Sequence, residues 1–193
     1  MAAVIAVLGG LLGASPAAAT DTVPEPSGGS AESIGTVAQP GTLTITVALG
    51  NVDLGDAVVD PTNEHLTTSA ADLKPITVTD TRAGNPGYNV TGRTGDFASP
   101  ADARINGANL GWRPRILTQE TVQALVAGVS VAPAENPLPA GTPSRDGLAT
   151  ARALASAPQG GGIGTAVITA SLLLHAPTSA SDGDQTTLTI TVI

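Results

Sequence analysis

From Thr42 to Leu49 the chain reads Thr-Leu-Thr-Ile-Thr-Val-Ala-Leu, with Leu43, Ile45, Val47 and Leu49 in every second place. That is the period of a strand with one face toward a core. The same alternation recurs at 76–81, at 88–94, at 166–174 and at 187–193, and weaker versions lie at 113–117, 129–132 and 148–155. Turn-forming clusters separate these runs: Ala83-Gly-Asn-Pro-Gly87, Asn106-Gly107, Asn136-Pro137, Pro158-Gln-Gly-Gly-Gly162 and Asp182-Gly183. About eight short strands at such spacing predict an all-β fold, an antiparallel β-sandwich with Greek-key or jelly-roll-like pairing. One helix is predicted, over 119–126 behind Thr118 as N-cap. The first and last strands share Leu-Thr-Ile-Thr-Val. Either they pair in one sheet, or both carry an alternation that any half-exposed strand shows.

Ahead of this region the pattern changes twice. Residues 2–19 hold no charge, run apolar from Val4 to Leu12 and end in Ala17-Ala-Ala19 before Thr20, which reads as a secretory signal peptide over 1–19. Glycines at 9, 10 and 13 and Pro16 make the stretch a poor membrane span. Residues 20–40 are rich in Pro, Gly, Ser and acids and predict a linker, leaving 41–193 as the β-sandwich domain.

Composition narrows the chemistry. The chain of 193 residues has no cysteine, which removes disulfides, thiolate zinc sites and thiol nucleophiles. Tyr88, Phe97 and Trp112 are its whole aromatic set, so small and β-branched residues must fill the core. Net charge is −8 with a single lysine, Lys74, which argues against a nucleic-acid partner. Residues 20–73 hold eight acids and no base, whereas 74–152 hold eight bases and six acids. Such a split suits either a solvated surface or head-to-tail contacts between copies.

No catalytic set emerges. His65 sits in the polar turn Thr62-Asn-Glu-His65, and His175 ends an apolar run before Pro177. Neither a G-x-S-x-G elbow nor an H-E-x-x-H pair exists. Acids at Asp53, Asp56, Asp60 and Glu64, or at Asp182 and Asp184, read as calcium ligands or as solvated loop acids, and neither cluster has EF-hand spacing. Asn89-Val-Thr91 is a glycosylation sequon inside a predicted strand. No metal and no cofactor is predicted. The most distinctive stretch is 76–97: a strand ending in Asp80-Thr-Arg82, a Pro-Gly turn, and a strand from Tyr88 to Phe97. It predicts a hairpin whose turn is tied by Asp80 and Arg82.

This stretch resembles the WxL-type surface domains of Gram-positive bacteria and their secreted actinobacterial relatives. The likeness continues through Asn109-Leu-Gly-Trp112, Ala151-Arg-Ala-Leu-Ala-Ser-Ala-Pro158, the run from Gly164 to Leu174 and the Thr-rich final strand, covering about 41–193. It implies noncovalent attachment to peptidoglycan or another cell-wall polymer, with Tyr88 and Trp112 as binding residues. The first W-x-L is here Tyr88-Asn-Val90, and no tryptophan lies between 164 and 193. The expectation is a secreted, non-enzymatic cell-surface protein with no membrane contact once the signal is removed. The alternatives are a self-assembling fibre or sheath subunit that exchanges strands between copies, and, third, a carbohydrate-active enzyme.

Overall fold

Where apolar and Thr residues alternate, the backbone is extended and its apolar face is buried. The computed structural model describes residues 2–10, 41–62, 65–68, 71–98, 103–178, 180 and 183–193. The predicted linker at 20–40, Glu64 and Asp182 lie outside these. Fourteen strands are present among the described residues: β1 (Ala2–Gly10), β2 (Leu43–Val47), β3 (Val52–Asp56), β4 (Val58–Asp60), β5 (His65–Thr68), β6 (Ile76–Asp80) and β7 (Tyr88–Thr94). They continue with β8 (Phe97–Ala98), β9 (Ala103–Ile105), β10 (Leu110–Gln119), β11 (Val126–Ala127), β12 (Arg152–Ala157), β13 (Gly164–Ala176) and β14 (Gln185–Val192).

The strands form two packed sheets, an all-β sandwich. One sheet runs β11-β12-β7-β14-β1-β3, with β8 beside β14 and β9 beside β8. The other runs β2-β6-β13-β5-β4, with β10 along the second edge of β13. All pairings are antiparallel except β1 with β14. Along β6 and β7 every second residue is buried, from Ile76, Val78 and Asp80 to Tyr88, Val90, Gly92 and Thr94. Between the sheets pack Phe97, Ile105, Trp112, Leu154, Leu172, Leu188 and Ile190, all at most 2% exposed. Each such aliphatic side chain contributes about 1.5–3 kcal/mol on leaving water. Alanines at 155, 157, 166, 170 and 176 fill the remaining inward places, so the sheets approach closely without aromatic bulk.

Several expectations need correction. The stretch 76–97 is not a hairpin: β6 pairs with β2 and β13 and β7 with β12 and β14, so the turn tied by Asp80 and Arg82 carries the chain from one sheet to the other. The helix over 119–126 is absent: Gln119 ends β10, its side chain accepts from the Leu125 N–H at 3.1 Å, and Gln123 accepts from the Glu120 N–H at 2.9 Å. Those glutamines satisfy backbone donors through a turn, and the chain continues into β11. The first and last alternating strands do not pair. β2 lies against β6 in one sheet and β14 against β7 in the other. The candidate strand at 129–132 reduces to one bridge between Val131 and Trp112, and the candidate at 148–155 is shifted to 152–157. The apolar N-terminal stretch contains a strand, β1, paired on both its edges.

Candidate functional site

At the end of the sandwich where β6 stops, Asp80 is fully buried. Its carboxylate accepts from the Arg82 backbone N–H at 2.9 Å, from Arg82 Nε at 2.9 Å and from Arg82 Nη2 at 2.9 Å. An Asp reaching the N–H two residues on closes a tight turn, and the guanidinium fork fits the two oxygens. Arg82 Nη2 also donates to the Gly87 carbonyl at 2.5 Å, drawing in the far side of the turn. Burial pushes the Asp80 carboxyl up, but its hydrogen bonds with Arg82 and the guanidinium charge outweigh that and hold it below the usual carboxylate range.

The turn is stapled to a second one, 158–163, by Asn85. This residue has a left-handed backbone (φ 45°), which asparagine tolerates. Its Oδ1 accepts from the Gly162 N–H at 2.8 Å and the Ile163 N–H at 3.2 Å, and its carbonyl accepts from the Gly160 N–H at 2.8 Å. At Gly87 a Cβ would lie 2.5 Å from the Ala157 carbonyl, so only glycine lets the turn close there. Tyr88 then opens β7 opposite Ala157. Its ring is buried, its hydroxyl has no hydrogen-bond partner among the described residues, and burial together with the Asp80 charge pushes the phenol up to about 12.

Above this floor lies an open cleft of about 670 Å³. Its rim combines the exposed aliphatics Val126 and Ile193 with Asn89, Ser156, Pro158 and Gln159. Reciprocal bonds between Asn89 and Ile193 (2.8 and 3.0 Å) fix one wall, and β11–β12 pairing fixes the other. The cleft thus sets exposed aliphatic and amide groups side by side on hydrogen-bonded strands.

Trp112 is not part of it. Its indole is 2% exposed and packs on Gly92, where a Cβ would be 2.7 Å from Cη2. Gly92 lies four residues along β7 from Tyr88, about 13 Å at strand rise. The stretch around Trp112 has a structural role instead: fully buried Asn109 donates to the Leu138 carbonyl and accepts from the Leu138 N–H, both at 2.9 Å, pinning the loop before β12. His175 Nδ1 lies 3.1 Å from the Ala134 carbonyl at the same loop. Among the acids named as calcium ligands, Asp53 caps its own turn through the Gly55 N–H, Asp60 holds Thr62, and Asp184 is buried. No group of three or more metal-ligating side chains occurs among the described residues.

Sequence reading missed a second cleft, about 450 Å³, lined among others by Glu135 and Asp146 from loops and by Arg152 at the start of β12. Nothing in their spacing signals it. Arg152 is tied to the Gly147 and Arg145 carbonyls. No protein-family model matches this chain, and no curated protein matches it.

Proposed function

We propose that this protein is an exported, non-enzymatic β-sandwich of the bacterial cell surface that holds a cell-wall polymer, peptidoglycan first among them, in the cleft above Tyr88. The cleft carries the reading. Its walls are backbone-fixed, its rim mixes exposed aliphatic and amide groups, and it is open to solvent, a combination that a glycan or peptide segment can meet with both apolar and hydrogen-bonding groups. The likeness of 76–97 and 151–174 to WxL-type domains supports the same partner. The aromatic groups act beneath the site: Tyr88 is its floor and Trp112 packs the core behind it. Export is supported by the uncharged apolar run and by Ala17-Ala-Ala19 before Thr20. N-terminal sequencing of protein recovered from culture medium or cell surface tests it.

The binding test is sedimentation of purified protein with and without peptidoglycan. Pelleting only with the wall is expected, and Val126→Asp, on the exposed rim strand, is expected to lower the pelleted fraction several-fold with an unchanged far-UV spectrum. Protein that stays in the supernatant beside the wall refutes the reading. Assembly of copies by strand exchange is the second reading, favoured by the way β1 is held in its sheet.

A further inference from the structure

Strand β1 occupies a lane bounded by two strands. On one side it pairs in parallel with β14 through seven residues, from Val4 opposite Gln185 to Gly10 opposite Thr191. On the other it pairs antiparallel with β3 at Ala2, Val4 and Ile5. β14 has β7 and Ala98 of β8 on its far edge, while β3 is joined to its sheet through β1. The edges of β14 and β3 therefore face each other across two strand spacings, about 9–10 Å, the width of a single strand. Thr186, Leu188, Ile190 and Val192 of β14 and Val52 and Leu54 of β3 are buried on the core side of the lane. Emptying it leaves two rows of backbone donors and acceptors unpaired over an apolar floor.

The segment filling the lane is the one that carries the export pattern, and the inference rests on that reading. We propose that the lane is a strand-acceptor site. Ala2–Gly10 plugs it in the newly made chain, and after cleavage behind Ala19 it receives the N-terminal arm of a second copy. The arm is long enough. Between Pro26 and Pro40 lie thirteen residues without proline, about 43 Å when extended, against about 23 Å for the seven paired positions of the lane. While the plug is attached it belongs to the same chain as the lane, so filling the lane is intramolecular, with an effective concentration of order mM. It therefore outcompetes a strand from another copy present at micromolar concentration. Cleavage removes that advantage and leaves 20–40 as a free end. An arm from one copy in the lane of the next is a heterologous contact, which continues into rings or open chains.

The test uses the full chain with a specific protease site inserted after Ala19, cut in place after folding. Two quantities are read: molar mass by light scattering over a concentration series, and uptake of a fluorescent peptide of residues 2–10 carrying a lysine tail for solubility. The uncut chain is expected to be monomeric and to ignore the peptide. The cut chain is expected to take the peptide up, to grow in mass with concentration, and to need at least tenfold more protein for association when unlabelled peptide is in excess. Val37→Pro in the arm removes a ladder donor, so it is expected to abolish association while peptide uptake is unchanged. A cut chain that stays monomeric, that takes up no peptide, or whose association is indifferent to the peptide overturns the proposal. Because the cut is made in vitro, the result reads the lane independently of export, whose own test is the N-terminal sequence of the recovered protein.

Discussion

Gly92→Ala measures how tightly the two sheets meet. Gly92 faces inward on β7, between Trp112 of the opposite sheet and Ile190 of the neighbouring strand. A Cβ there would lie 2.7 Å from Trp112 Cη2, 2.8 Å from Trp112 Cζ3 and 2.8 Å from Ile190 Cδ1. Ordinary contact needs 3.4 Å or more. An indole cannot bend, and this one is fixed at its backbone by paired bonds with Val131, 2.9 Å in each direction. The strain therefore falls on strand separation or on rotamers. Overpacking of this kind costs about 1–3 kcal/mol, and with two of three clashes on a rigid ring the upper part, about 2–3 kcal/mol, is expected. For a domain of this size that lowers Tm by roughly 4–12 °C. Trp112 is the only tryptophan, so its fluorescence in a urea titration reports the packing directly. Ile190→Val removes one of the contacted atoms, so the double variant is expected to lose less than the two single losses together, with a coupling of at least about 0.5 kcal/mol. A Gly92→Ala protein within about 0.5 kcal/mol of the parent, a change expected of an uncrowded surface site, refutes the idea that this glycine makes room for the indole.

Two further outcomes follow from the turn beneath the cleft. Arg82→Met leaves the Asp80 carboxylate buried without its cation, a change that costs about 3–5 kcal/mol in a closed interior. The Arg82 side chain is 27% exposed, so the lower end is expected in a thermal melt, and Arg82→Lys restores little because it lacks the fork. The Asp80 carboxyl is held low in the folded state, so the pair's stabilisation is present above the ordinary Asp value of about 3.9. It fades as pH falls through the folded value, and this acid loss is expected to shrink in Arg82→Met. At the other extreme, Tyr88 is raised from 10.0 to about 12, so the folded state keeps a proton that the unfolded state gives up. Stability is expected to fall between those pH values by at most about 2.7 kcal/mol, and Tyr88→Phe to lack that loss. Tyr88 is the only tyrosine, so phenolate absorbance follows it alone, and titration near 10 in the folded protein contradicts the buried placement.

Legibility followed exposure. β2, β6, β7 and β14 each keep one face away from the core, and their alternation is plain in the sequence. β10 was visible only at its centre, because 110–112 is buried throughout and Pro114 interrupts the pattern. The proline is tolerated since β13 is the only strand that pairs with β10, and its other edge carries the single bridge to Val131 rather than a continuous ladder. β4 and β5, of three and four residues, are too short to show a period, and β3, as long as β2, has only Val52 and Leu54 as apolar positions between Asp53 and Asp56. Asp80 and Arg82 share one turn, so their tie is a local matter that spacing can suggest. The bonds from Asn85 to Gly162 and Ile163 span 77 and 78 residues, and nothing local encodes them. The cleft above Tyr88 arises from those distant contacts, and for that reason it has no signature in the sequence.

The place of β14 has a consequence for how the molecule comes into being. Residues 185–192 lie inside their sheet, between β7 and β1, so that sheet has no closed middle until they have been made. β13, the other sheet's long central strand, likewise gathers β6, β5 and β10 only after 164–176 have emerged. Pairings across such separations are slow to form, because loop closure must precede any gain from contact. A growing chain of this topology therefore cannot complete either sheet before residues 164–192 have been made, and its folding is timed by those strands rather than by the order in which the earlier segments appear.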